Sequence, residues 1–395
     1  MTDPQTVLVT GVGGFWGARL AAQLAAETDL RVLGIDATPP ANPIRGLDFI
    51  QADVRNSLLV ELLRDESVTT VCHLSFIEAE RHSEANFDLN VIGTMKVFGA
   101  CAQAGVRKVI LKSSTAIYGA SAANPAFLTE GYPLNGSRRT GTLRHRLEIE
   151  AFCNGFRGQA PGMTVTTLRF ANIIGPTANT PMTRFLSTPA TPRLLGFDPM
   201  LQVIHEDDVI GALAHAVIHD APGVFNVAAE EPMPLSRLTA LADKVAMPIF
   251  HLAVYWGNPL LSGVGVPVKQ FWPIEPDYLR FGWVGDLARM RGELGFSPQY
   301  TGPEAVRAFT ARKRIARYVP ASKDLVKDEE LLGDTLERRR RAKASAAQLA
   351  SAQAAPAQPC PPAEPPLLPH VDAEAPLDNA DETDETEARA EEMML

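Results

Sequence analysis

TVLVTGVGGFWG, residues 6–17, is an apolar, β-branched run from Thr6 to Thr10 that turns through Gly11, Gly13, Gly14 and Gly17 into a helical pattern with Leu20 and Leu24 on one stripe. A glycine pattern alone is weak, but placed directly between a strand and a helix it reads as a phosphate-binding turn. Gly11 permits the tight turn, Gly14 lets the backbone approach a pyrophosphate, and Gly17 allows the helix to pack close. Phe15 and Trp16 open a helix whose N-terminus faces the anion. Asp36 ends the next apolar run, where a carboxylate accepts hydrogen bonds from a ribose diol and repels a 2′-phosphate. The expected cofactor is NAD rather than NADP.

Outward from this unit, further apolar runs alternate with helical patterns: RVLGID (31–36), LDFIQAD (47–53), TTVCHLSF (69–76), KVILKSS (108–114) and TVTTLRF (164–170), with helices expected near 15–27, 57–65, 84–104 and 141–153. Runs that are apolar throughout suit parallel strands covered on both faces. The expected fold is α/β, a Rossmann-type doubly wound parallel sheet over residues 1–175, to which later segments return. A smaller mixed substrate lobe follows over 176–318, with helices near 208–219, 235–245 and 287–294 and a strand at Val224 to Asn226. Residues 319–344 read as a charged linker, and 345–395 as a disordered acidic tail.

That tail holds eleven acidic residues, one basic residue (Arg389) and eight prolines, leaving the first 344 residues at a net charge of +1 out of −9 overall. A nearly neutral body argues against a surface made for nucleic acid. Cys72, Cys101, Cys153 and Cys360 are scattered without metal-ligand or scaffold spacing, so no metal site is expected and a reducing cytoplasm fits. The N-terminal segment shows no secretory pattern. Between Lys244 and Lys269 no charged residue occurs, but Pro248, Gly257, Pro259, Gly263, Gly265 and Pro267 interrupt the stretch, which reads as buried irregular structure rather than a membrane segment.

Taken in order, TGVGGFWG (10–17), Asp53-Val54, HLSF (73–76), Asn90 in NVIGT, SSTAIYG (113–119), RFANIIGP (169–176) and HEDD (205–208) resemble the extended short-chain dehydrogenase/reductase family, in the branch of nucleotide-sugar epimerases and dehydratases such as UDP-glucose 4-epimerase. The resemblance spans about residues 6–318. It implies that Asp53 and Val54 contact adenine, that Leu74 at the HLSF strand end lines the cofactor, that Asn90 supports the active site and that Asn172 contacts the sugar. His205 and Asp208 fit a lobe-organising motif, with helix capping by Asp208 the commoner reading. Pairing of two copies through helices 84–104 and 141–153 is expected by analogy with relatives.

The family relays a proton through a Ser or Thr and a Tyr-x-x-x-Lys pair. Ser114 matches the first, four residues before Tyr118. The pair is replaced: aligning Leu147, Ile149, Glu150 and Phe152 puts Thr142 at the tyrosine position and Arg146 at the lysine position, and a register two residues earlier gives Thr140 and Arg144. Threonine has no accessible acid–base pKa, and arginine keeps its charge without cycling a proton. Tyr118, Tyr132 and His145 are the candidate substitutes. The arginine expected to grip a nucleotide-sugar diphosphate is Leu201 here. Arg138, Arg139, Arg144 and Arg146, with His145, crowd the start of the helix instead, and guanidinium groups suit phosphate or carboxylate. Two functions are carried forward. One is reversible hydride transfer to NAD from a secondary alcohol of an anionic small molecule, with Ser114 on the reacting oxygen. The other is a non-catalytic NAD-responsive binding or scaffold protein.

Overall fold

Six apolar runs and one returning strand form a single parallel sheet. The computed structural model describes residues 5–78, 83–137, 141–188, 190–250 and 274–318, with residues 335 and 339. Strands β1 (Thr6–Thr10), β2 (Arg31–Asp36), β3 (Leu47–Gln51), β4 (Val68–His73), β5 (Lys108–Ser114) and β6 (Thr164–Phe170) alternate with helices α1 (Phe15–Glu27), α2 (Leu59–Asp65), α3 (Glu84–Phe87), α4 (Gly93–Ala104) and α5 (Gly141–Gln159). After β6 come β7 (Asn172–Ile174), α6 (Pro181–Phe185), β8 (Ala190–Leu194), β9 (Met200–Leu201), β10 (Val203–His205), α7 (Glu206–Ile218) and β11 (Gly223–Val227). The chain continues through β12 (Met233–Pro234), α8 (Leu235–Leu241), β13 (Val245–Ile249) and a last helix, α9 (Gly302–Tyr318).

The sheet order is β3-β2-β1-β4-β5-β6-β11, every pair parallel. The connections run outward in both directions from the gap between β1 and β4, which makes that gap the topological switch point. Leu8, Val71 and Val109 face a layer with α2, α4 and α5, and Val9, Cys72 and Ile110 face α1 and α7. Both faces are thus sealed, which is why the strands are apolar throughout. Lys108 is an exception with a purpose. Fully buried inside β5, it donates from Nζ to the carbonyls of Ala216, Val217 and His219 and pairs with Asp220, so a cation closes the C-terminal end of α7.

Residues 1–320 form one unit, and the sheet strand β11 comes after the smaller lobe has begun. That lobe packs Leu186, Leu194, Leu201, Leu238, Trp283 and Phe309 around short strand pairs: β7 with β10, β9 with β12, and β8 with β13. Val245–Ile249, at the start of the uncharged stretch, is thus a strand; residues 251–269 of that stretch lie outside the described residues, as do the linker 319–344 and the tail apart from Thr335 and Arg339. Among the described residues no helix is long and apolar enough to cross a membrane.

Several helices differ from the sequence pattern: the one expected over 141–153 runs on to Gln159, and the one expected over 287–294 ends in a π turn at Met290–Leu294. The one expected over 84–104 is interrupted by a π turn at Asp88–Ile92, where the Thr94 hydroxyl bonds back to the Asn90 carbonyl. The one expected over 235–245 stops at Leu241, because Asp243 takes a left-handed conformation (φ 52°) that leads into β13.

A buried polar network ties the sheet to the loops above it. Arg169, 2% exposed, donates to both carboxylate oxygens of Glu150, to the Tyr118 hydroxyl (2.8 Å) and to the Glu130 carbonyl (2.9 Å). Tyr118 in turn donates to Asn226 Oδ1 (2.7 Å), and Ser113 donates to Glu150 (2.5 Å). Glu150→Ala would leave a buried guanidinium without its counterion and is expected to destabilise the chain by about 3–5 kcal/mol in urea titration. A loss under about 1 kcal/mol would contradict this reading of the pair.

Candidate active site

The glycine turn is built by close approach. Gly11 has φ 76°, and a Cβ there would lie 2.7 Å from the backbone of Leu74 and Ser75, at the end of β4. A Cβ on Gly17 would lie 2.1 Å from the Gly11 carbonyl. Gly14 is exposed and caps α1 without any side-chain acceptor, so no side chain at the cap takes up the first-turn amides of α1. Asp36, at the end of β2, accepts the Gly13 N–H on one carboxylate oxygen (3.0 Å) and the Thr38 N–H on the other (3.0 Å). It stands half-buried beside the turn, fixed in orientation with lone pairs left over.

Thr10 closes the turn against β4. Its hydroxyl accepts the N–H groups of Leu74 (3.1 Å) and Ser75 (3.2 Å), so its one hydrogen points to His73 Nδ1 (2.8 Å). His73 Nε2 must then carry the ring proton and donate it to Thr94 (3.0 Å), which donates to the Asn90 carbonyl. The Asn90 amide accepts from Ile77 N, donates to Ile77 O (2.8 Å each), and gives its second hydrogen to His145 Nδ1 (3.0 Å). Asn90 therefore pins the segment after β4 as a strand partner would.

That segment walls a pocket of about 70 Å3 at the switch point, lined by Trp16, His73, Leu74, Ser75, Phe76, Glu78, Thr94, Leu111, Lys112, Ser113, Arg146 and Ile149. Arg146 stacks over the Phe76 ring (5.1 Å) and pairs with Glu78 (3.0 Å). Burial would raise the Glu78 carboxyl, but Arg146 and Lys112 hold it below its usual value. The Lys112 ammonium lies 5.0 Å from the Trp16 ring centre. Removal from water, followed by Arg146, lowers Lys112 to about 8.

The other expected site residues are distributed as follows. Ser114 ends β5 beside the pocket, its hydroxyl accepting from Ala116 N (3.2 Å). Thr142 and Arg144 are half-buried on the first turns of α5, one turn before and two residues before Arg146, and none but Arg146 lines the pocket. Tyr118 is fully buried in the Arg169 network, its phenol pushed up by burial, and Tyr132 packs edge-on against it at 6.5 Å. His145 is fully buried between Asn90 and Phe87. Asp53 receives Arg55 on both carboxylate oxygens (2.9 and 2.6 Å), and this pairing first of all lowers its pKa; Val54 is buried beside it. Asn172 donates to the Gln202 carbonyl (2.9 Å), and Leu201 is buried in β9. Arg138, Arg139 and Thr140 lie outside the described residues.

The HEDD segment acts differently from a simple cap by Asp208. His205 is the N-cap of α7, accepting the Asp207 N–H (3.2 Å), whereas Asp208 accepts the N–H groups of Gln299 (2.7 Å) and Tyr300 (3.2 Å). Glu206 accepts from Thr177 and Ala178 (2.5 Å for Ala178 N). The motif thus clasps two loops of the smaller lobe to α7. Lys112 is the site residue that sequence reasoning missed; its signal was a cation near the carboxyl end of a buried strand of a parallel sheet. Among the described residues no cluster of His, Cys, Asp and Glu has the arrangement of a metal site.

The profile of the NAD dependent epimerase/dehydratase family matches residues 7–228. The chain belongs to that family. NAD is the family's cofactor. The chain is 35% identical over 314 residues, 76% of its length and 82% of the other's, to the uncharacterized protein Rv0501 of Mycobacterium tuberculosis. It is 30% identical over 179 residues to the UDP-glucose 4-epimerase of Lactobacillus helveticus, covering 43% of this chain and 52% of that one. Among solved structures, the UDP-glucose 4-epimerase of Thermotoga maritima superposes with a TM-score of 0.61 at 18% identity, over 79% of this chain and 99% of that one.

His73 gives the site a pH signature. Burial lowers its imidazole from 6.5 to about 4, so the unfolded chain binds more protons between those values. Stability from this group is complete above about pH 6.5 and falls by about 3 kcal/mol as the pH drops through about 4. Denaturant midpoints across this window should show the slope, and His73→Gln should remove that component; an unchanged slope would contradict the neutral, buried imidazole.

Proposed function

We propose that this chain binds NAD across the carboxyl ends of β1, β2 and β4 and transfers hydride reversibly between NAD and a secondary alcohol of an anionic substrate, a nucleotide sugar first among them, without the family's Tyr-Lys pair. The observation that carries the reading is the cradle: a turn too tight for side chains at Gly11 and Gly17, an uncapped α1 start at Gly14, and Asp36 fixed beside them by Gly13 and Thr38. These residues fit the dinucleotide, with the amides of Phe15 and Trp16 on the pyrophosphate and Asp36 accepting from the ribose hydroxyls. Bound there, NAD supplies the hydride acceptor.

The chain's own groups do the rest. The Leu74–Phe76 segment, pinned by Thr10 and Asn90, walls the nicotinamide end. Ser114 donates to the reacting oxygen. Asp53 and Val54 border the adenine end, and Asn172 meets the sugar. Leu201 offers no charge to a diphosphate, so Arg144 and Arg146 on α5 supply it; Arg146 Nε is buried without a hydrogen-bond partner among the described residues, which leaves one donor for an incoming anion.

Calorimetric titration tests the reading. NAD should bind, NADP should bind at least about tenfold more weakly, a difference of about 1.4 kcal/mol, and Asp36→Ala should weaken NAD while erasing that difference. Equal affinity for both dinucleotides, or no binding of NAD, would contradict it.

A further inference from the structure

The pocket at the switch point contains a group that no family motif assigns. Lys112 stands two residues before the end of β5, facing Trp16 at the start of α1, with Arg146 reaching in from α5 and Glu78 from the segment after β4. Its surroundings thus come from α1, α5 and the segment after β4, the first and last of which border the cradle. Neither Thr142 nor Arg146 can exchange a proton near neutral pH; of the three alternatives on sequence grounds, Tyr118 and His145 are sealed in the core, and Tyr132 packs against Tyr118 away from the pocket lining. The serines of the pocket region do not supply the missing base either: Ser113 is committed to Glu150, and a serine hydroxyl needs a partner to take its proton.

We propose that Lys112 is the proton-exchanging group of the reaction, taking over the task that the family gives to its Tyr-Lys pair; this rests on the function proposed above. In the oxidation of a secondary alcohol, the C–H bond breaks with its electron pair passing as hydride to oxidised NAD. The O–H bond breaks with its proton passing to the neutral Nζ of Lys112. The products are a ketone, reduced NAD and a lysine ammonium, and the reverse reaction returns the proton to the forming hydroxyl.

The surroundings make this chemistry available. With its pKa lowered to about 8, Lys112 is neutral near pH 7.5 in a far larger share of molecules than an ordinary lysine. Removal from water contributes most to that balance, and the charged neighbours adjust it. Arg146 on α5 favours the neutral amine, Glu78 favours the ammonium, Arg184 on α6 acts through Glu78, and His73 on β4 stays uncharged. The Arg146–Glu78 pair is therefore a tuning device: it leaves the pocket with one cation to spare when Lys112 is protonated and none in excess of that pair when it is not.

The test is an NMR pH titration of lysine 13Cε resonances in the full chain, with Lys112 assigned by its loss in Lys112→Arg. The expected midpoint lies near 8, moves up in Arg146→Met and moves down in Glu78→Gln. On the same samples, Lys112→Arg should keep NAD affinity within about twofold while slowing turnover of a responsive nucleotide sugar at pH 7.5 by at least about 100-fold. A midpoint near the ordinary lysine value that ignores both neighbours, or turnover preserved in Lys112→Arg, overturns the assignment while leaving the cofactor reading intact. Failure of the unmodified chain to bind NAD overturns the function proposed above and this role with it.

Discussion

One hydroxyl, that of Thr10, holds the working end of the sheet together. It sits where β1 stops, accepts two backbone N–H groups from the chain leaving β4, and donates to His73. A hydroxyl has a single hydrogen, so three bonds around it fix the His73 tautomer, and the tautomer fixes Thr94 and then Asn90. Through Asn90 the same chain of bonds reaches Ile77, next to Glu78. The glycine turn on one side of the gap and the pocket wall on the other are therefore parts of one buried construction. Burying His73 is what keeps it neutral, and its neutrality is what lets it pass one donor and one acceptor in a defined direction.

A second polar network performs the corresponding task farther along the sheet. Arg169 and Glu150 are each 2% exposed, so their charges are tolerable only because each partner saturates the other and the remaining donors go to Tyr118 and Glu130. Asn226, on the returning strand β11, completes the set by accepting from Tyr118 and donating to the Leu128 and Asp286 carbonyls. The smaller lobe is thus held to the sheet by hydrogen bonds as well as by apolar contact, and α7 adds a third tie through Glu206 and Asp208.

Much of this was legible in the sequence because it depends on local pattern. Apolar runs gave the strands, their uniform apolarity gave parallel pairing, and a glycine turn followed by Asp36 gave the cradle. What escaped the sequence depends on groups far apart in the chain. Asp208 carries the pattern of a cap, yet its acceptors face Gln299 and Tyr300. Tyr118 sits in a family motif beside Ser114, yet Arg169 and Asn226 consume its hydroxyl. Lys112 looks like one cation in a strand until Trp16, Glu78 and Arg146 surround it, and only that environment changes its chemistry. The π turn at Asp88–Ile92 likewise follows from hydrogen bonds that Asn90 and Thr94 make across the site rather than from helix propensity.

The central claim is that this pocket still performs redox chemistry on a bound alcohol. The most direct measurement is the absorbance of the NAD-loaded chain at 340 nm after rapid mixing with UDP-glucose or UDP-glucuronic acid. A rise that reports reduced nicotinamide, appearing with the nucleotide sugar and absent with UDP alone, is the predicted result. A flat trace for every nucleotide sugar offered, with NAD demonstrably bound, would contradict it.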